Sequence, residues 1–407
     1  MVKLKRHTNI ALGYFFLVGL LGILLRLFFT SPIPGNFRFI VHAHSHIALL
    51  GWVYIGLVTI IYKMYFTEID RSPTYMRIFW FTNFTVIGML VTFPFQGYAL
   101  LSITFSTLFL FASYFLAWFF LKNIPAHYKN SNSYKCIKAS LIFLVFSSIG
   151  PWAIGGVMAT LGNTSIWYKI SIYFYLHFQY NAWFILALAG IFFYLLEKAG
   201  LPINNKEFRT FFFLLIWAII LSFFLSVLWV NPPLIFYLLA GAGALLQIAA
   251  LIKFFILISP AWRSFKNKIS SLVKLLLKIA AGFLIIKVLM QLLTALPFFA
   301  SLSFRYTDFV IGYLHLVFLG IISIALFAFL IQLGLLNFRK KVFLLYFTGF
   351  ILSEILIFYK GTAMWLGWPF ISEYFTILVI ISSLIPLAIA ILLFDNLRSR
   401  KFIHRSR

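Results

Sequence analysis

Apolar residues run along this chain in long stretches, separated by short polar punctuation. Charge, Pro and Gly bound these runs near residues 9–29, 38–64, 77–96, 98–121, 136–160, 167–195, 208–229, 233–257, 272–298, 308–335, 341–359 and 370–394. A helix needs about 20 apolar residues to cross the hydrocarbon of a bilayer. The backbone hydrogen bonds of such a segment must then close within the segment itself. The pattern predicts an all-α integral membrane protein with twelve transmembrane helices. The third and fourth runs nearly touch, joined only by the FQGYA turn at 95–99. No stretch reads as a soluble domain or a long linker, so residues 1–407 are expected to form a single polytopic membrane domain.

The polar punctuation alternates. Segments after even-numbered runs, such as 122–138, 197–209, 262–274 and 398–407, are rich in Lys and Arg, and segments after odd-numbered runs carry far fewer. Basic loops stay on the cytoplasmic side. Both termini are therefore expected in the cytoplasm, and the chain is expected to be a multi-pass protein of the cell's inner (plasma) membrane. The N-terminal MVKLKRH precedes the first run without an evident small-residue cleavage site, so that run reads as a retained helix.

Composition agrees. The chain is 63% hydrophobic and 10% charged, and its net charge of +25 sits in short clusters between apolar runs. That distribution points to membrane topology and away from nucleic acid. The lipid bilayer is the first expected partner. Cys136 is the one cysteine, which excludes an internal disulfide, a CxxC pair and a thiolate cluster.

Histidines interrupt the apolar runs. The second run contains VHAHSHIALLGW, with His42, His44 and His46. Segments starting at His46, His177 and His315 match beyond the histidine: Gly51, Ala182 and Gly320 at the fifth following place, Gly56, Ala187 and Ala325 at the tenth, Leu57, Leu188 and Leu326 at the eleventh. His177 follows His46 by 131 residues and His315 follows His177 by 138. The spacing predicts three repeats of four helices, near 1–135, 136–268 and 269–407, in a pseudo-threefold (4+4+4) arrangement. Each histidine falls about 8–11 residues into its helix, which places all three at one depth in the outer half of the membrane.

On a helix, His42 and His46 share one face and His44 points roughly opposite. Intramembrane histidines pair across helices or bind metal. Imidazole ligation in apolar, aromatic surroundings suits haem iron or copper. His42, His44, His46, His177 and His315 are the candidate ligands. Arg26 and Lys287 are candidate partners for haem propionates. Gln179, Asn181 and Gln291 are placed to hydrogen-bond histidines or to bridge helices. His7 and His404 at the basic ends, and His127 in a loop, receive no role.

HSHIALLG, residues 44–51, resembles the HxHLALxG-type pattern in the catalytic subunit of nitric oxide reductases, members of the haem–copper oxidase superfamily. HAHSHIALLG from His42 is also similar to the nitric-oxide-response haem–copper membrane proteins. The resemblance implies twelve helices in pseudo-threefold order, and haem b, one or two, held by His44 or His46 with His315. It also implies copper near His177 and a redox role for Tyr180. The chain departs from the family in two ways. Its HxH pair lies in the second helix instead of the tenth, and its seventh run has no histidine to complete the usual copper site.

The function expected from this resemblance is oxidoreduction, electron transfer or sensing of NO or O₂, with electrons from a donor protein or quinol and with small partner subunits. No CxxCH exists, so a haem-c carrier would be another chain. The alternative is a secondary transporter for a metal ion or a proton-coupled solute that uses the same histidines.

Overall fold

A computed structural model of the protein describes residues 2–67 and 72–403, with side chains as far as 398. His404 and parts of two basic segments lie outside the described residues.

The described residues contain twelve long helices and no strand. In chain order they are α1 (Leu4–Leu27), α2 (Phe37–Tyr65), α3 (Ser72–Gln96), α4 (Leu100–Asn123), α5 (Asn132–Thr160), α6 (Ile166–Lys198), α7 (Asn205–Val230), α8 (Leu234–Phe265), α9 (Ser271–Thr294), α10 (Thr307–Gln332), α11 (Lys340–Leu366) and α12 (Tyr374–Ile403). Eleven helices among the described residues are long and apolar enough to cross a membrane. α9 is not one of the eleven. It carries Lys274, Lys278 and Lys287 along its 24 residues. Large apolar side chains such as Phe95, Leu100 and Leu234 stand exposed, as a lipid-facing surface requires.

Several ends differ from the apolar runs. α11 continues to Leu366, through GTAMWL, which reads as loop in sequence; Gly367 at φ +67° then stops it as a left-handed cap. Residues 299–305 also read as loop, yet Pro297 begins a short helix, Pro297–Arg305, because proline suits a first helical turn. α8 runs past Pro260 to Phe265. The FQGYA turn is present, with Gly97 at φ +59° against the Phe39 ring.

The chain forms two compact units. Unit 1 comprises Met1–Phe120 and Leu326–Arg407; unit 2 comprises Leu121–Ala325. In unit 1, α1 packs on α12 and on the middle of α2, and the first half of α2 packs on α3. Gly19 brings α1 against Pro386 of α12 so closely that a Cβ would fall 2.7 Å from the proline ring. In unit 2, α5 packs on α6, α7 on α8, α8 on α9, and α9 on the middle of α10. Gly243 of α8 lies directly on the α7 backbone, 2.4 Å from Ser222 N for an added Cβ.

Three helices depart from α geometry at their centres. Ile47–Val53 in α2, Phe178–Phe184 in α6 and Leu316–Ser323 in α10 are π-helical. Each wide turn begins at the residue after His46, His177 or His315. The π-helix, bonded i to i+5, is rare and concentrates at functional sites. The same three helices are the most buried: 89%, 89% and 72% of their apolar windows lie inside the protein, against 28–50% for the other spans. A helix that is apolar all round belongs inside, and the histidines ride on these interior helices.

Candidate functional site

Asn36 caps α2, its side chain accepting from Arg38 N at 3.0 Å and Phe39 N at 3.4 Å. The cap fixes where the helix starts, and hence where each imidazole points. His46 is the tenth residue of the α-helical part of α2. His177 and His315 are the twelfth and ninth residues of theirs.

The two-faced arrangement expected for α2 is present. His42 and His46 both face Phe93 and Tyr98: the His42 ring is 4.5 Å from Tyr98, and the His46 ring is 4.4 Å from Phe93. His46 Nδ1–H donates to His42 O at 2.8 Å, and the Tyr98 hydroxyl donates to His46 Nε2 at 3.3 Å. Tyr98 reaches this position because the turn at Gly97 folds it back towards α2.

His44 faces α1. Its Nδ1 lies 3.1 Å from Val18 O. A carbonyl only accepts, so the proton sits on Nδ1 and Nε2 keeps its lone pair. No described residue makes a hydrogen bond to Nε2 of His44. One turn along α1, Gly22 leaves room for the ring: a Cβ there would come within 3.2 Å of His44 Cε1. One turn further, Arg26 lies within electrostatic reach of His44 and of the buried Glu354 on α11. Val18, Gly22 and Arg26 thus form one stripe of α1 at four-residue spacing.

In unit 2, His177 is fully engaged. Its Nε2–H donates to Ile219 O on α7 at 2.8 Å, and its Nδ1 accepts from the Asn181 amide at 3.1 Å. This is a helix-bridging imidazole. Gln179 donates to Ser147 Oγ at 2.9 Å and ties α6 to α5. Tyr180 is buried in the wide turn of α6, its ring 6.2 Å from Tyr313 and 6.0 Å from Phe318. Lys287 is 4% exposed, within electrostatic reach of His177. His315 is half-buried at the start of the wide turn of α10.

The candidate residues therefore fall in two groups. His42, His44, His46 and Arg26 belong to unit 1; His177, Tyr180, Lys287 and His315 belong to unit 2. No group of three or more His, Cys, Asp or Glu placed to hold a metal ion occurs among the described residues.

No protein-family model matches this chain, and no curated protein matches it.

An imidazole that ligates iron anchors its second nitrogen through a carbonyl or carboxylate, which fixes both tautomer and aim. His44 meets that requirement through Val18 O, so its imidazole fits the chemistry of a side chain that would hold haem iron. Arg26 adds a cation suited to a propionate carboxylate. His46 has the same Nδ1 anchor, but its Nε2 holds the Tyr98 hydroxyl. Sequence reasoning missed Val18 O, Ile219 O and Tyr98. The first two are backbone atoms, which leave no residue-type signal. Tyr98 was visible only as part of a turn. His7, at the basic N-terminal end, is 1% exposed and stacks on Phe79 with centroids 3.7 Å apart.

Proposed function

We propose that this chain is a haem-binding membrane protein of the oxidoreductase or electron-transfer kind, related to haem–copper oxidase subunit I, with His44 as a residue that would hold haem b. The observation that carries this reading is the His44 imidazole. Its Nδ1–H is held by Val18 O, its Nε2 has no hydrogen-bond partner among the described residues, and Arg26 lies on the same stripe of α1. Iron held by imidazole supplies one-electron chemistry and, with an open position, binding of NO or O₂. The chain's own contribution is to fix the tautomer, aim Nε2, neutralise a propionate through Arg26 and exclude water with aromatic packing.

The reading includes twelve spans in a pseudo-threefold order and cytoplasmic termini in an inner membrane. It is supported by wide turns at one register in three interior helices and by the alternation of basic segments. Electrons would come from a donor protein or a quinol. The experiment is an absorption spectrum, a haem extraction and a metal analysis on detergent-purified protein. A Soret band with about one haem b per chain, lost in His44→Ala, is the expected result. Purified protein devoid of haem and iron overturns the reading.

A second reading, a transporter for a metal ion or a proton-coupled solute, draws on the same wide turns, because irregular helices near mid-membrane commonly form substrate sites. Metal-dependent uptake into proteoliposomes by haem-free protein would favour it.

A further inference from the structure

A cavity of about 590 Å³ opens at one end of unit 2, between the start of α5, the end of α6 and the start of α7. All the residues that line it belong to that unit. Side chains hold its frame. Glu197, near the end of α6, accepts from Asn132 N at 2.9 Å, Ser133 N at 3.1 Å and Ser133 Oγ at 2.6 Å, and so fastens α6 to the first turn of α5. Asn132 Nδ2 donates to Asn205 Oδ1 at 3.2 Å and fastens α5 to α7. Lys268 donates to Ala199 O at 2.8 Å, where α6 ends. Gly200, at φ +71°, then turns the chain off that helix.

The lining has two kinds of wall. One is apolar: Leu201, Pro202 and Ile203, with the rings of Tyr128 and Tyr194 6.3 Å apart. The other offers donors: the Lys198 ammonium, the His127 imidazole and the Asn205 amide nitrogen. No described residue forms a hydrogen bond or ion pair with Lys198 or with His127. His127, which received no role in the sequence, stands over Tyr128 with ring centroids 4.1 Å apart.

The nearby acids do not offset these donors. Glu197 lines the cavity, but its carboxylate is taken up by the first turn of α5. Glu207 pairs with Lys253 at 3.0 Å. The start of α5 itself is already capped, by Glu197 and by Ser131 Oγ, which accepts from Tyr134 N at 3.1 Å, so the attraction for an anion comes from the side chains and not from that helix end. An inorganic anion alone would leave the apolar wall against water. The cavity has the size of pockets that take whole small molecules, about 300–1,000 Å³. A phosphate ester matches both walls: its oxygens accept from the ammonium, the imidazole and the amide, and its organic body covers the tyrosines and residues 201–203.

We infer that this cavity is a binding site for a phosphate ester. The ester is either the headgroup of an anionic phospholipid or a soluble small molecule. The two sources share one chemistry and differ in whether the ester must arrive through the bilayer. The site uses neither haem nor the membrane histidines, so it stands apart from the function proposed above.

The test follows thermal unfolding of purified full-length protein at constant ionic strength. Sodium glycerol 3-phosphate, titrated onto protein in phosphatidylcholine nanodiscs, probes the soluble source. Phosphatidylcholine nanodiscs with increasing phosphatidylglycerol probe the lipid source. Saturable stabilisation by at least one probe is expected in the wild type and in Lys198→Arg. In Lys198→Gln the half-saturating amount should rise roughly 3- to 5-fold, the size of one partly exposed ion pair. Adding His127→Gln should carry the rise to roughly 10-fold; if that double variant does not accumulate, Lys198→Gln alone decides. Lys206→Gln removes a neighbouring charge that does not line the cavity and should stay within about twofold of the wild type. A response to glycerol 3-phosphate assigns the soluble source, and a response confined to phosphatidylglycerol assigns the lipid. A wild type indifferent to both probes, an unchanged response in Lys198→Gln, or an equal loss in Lys206→Gln overturns the inference. The Soret band of the same samples reads the haem proposal separately, and its absence leaves this site standing.

Discussion

At the residue scale, an imidazole at membrane depth is defined by what holds its second nitrogen. His177 spends both nitrogens on protein partners. Its truncation to Ala should leave Ile219 O and the Asn181 amide buried without partners, at about 1–3 kcal/mol, measured as lowered thermal stability in detergent. His44 spends one. Gly22 lets the His44 ring stand against α1, and Gly22→Val should displace that ring. Haem per chain in Gly22→Val should fall at least twofold relative to Gly13→Val, because a Cβ at Gly13 meets nothing within 4 Å. Equal haem content in the two variants would remove the link between this stripe of α1 and the cofactor. The hydroxyl of Tyr98 makes a smaller contribution: Tyr98→Phe should cost about 0.5–1.5 kcal/mol of stability, as one neutral hydrogen bond does.

At the scale of elements, hydrophobic patterning located the helices well and their interiors poorly. The runs expected at 38–64 and 167–195 correspond to α2 and α6 within a few residues, because charge and turn residues mark where chain leaves lipid. The wide turns were not legible. A helix that is buried on every side has no apolar stripe, so its residue pattern does not reveal a change from i+4 to i+5 bonding. The small residue five places after each histidine was legible, and packing explains one case. Gly51 lies in the wide turn of α2, where a Cβ would fall 2.8 Å from Tyr14 Cγ. Gly51→Leu should therefore overpack the α1 contact and destabilise by about 1–3 kcal/mol. Gly241→Leu, at a position with nothing within 4 Å, should be tolerated. Thermal unfolding of the two variants side by side checks this.

At the scale of the whole molecule, orientation is the property read most directly from charge, and the chain provides its own clean background for testing it. Its single thiol, Cys136, is 0% exposed. Asn130→Cys, in a basic segment, and Asn163→Cys, in a sparsely charged one, introduce exposed thiols on opposite sides if the alternation governs topology. In sealed right-side-out vesicles a membrane-impermeant maleimide should label Asn163→Cys and spare Asn130→Cys until the vesicles are opened. The reverse labelling would invert the topology. The wide turns carry a consequence of another kind. A π turn holds one residue more than an α turn, so removing one residue from Ile47–Val53 would let α geometry close there and leave the two halves of the helix near their present orientation. A one-residue deletion in Ile47–Val53 should therefore be better tolerated than one in Tyr54–Tyr65, where regular α geometry would turn the rest of the rod by roughly 100°, and thermal unfolding of the two deletion variants checks it.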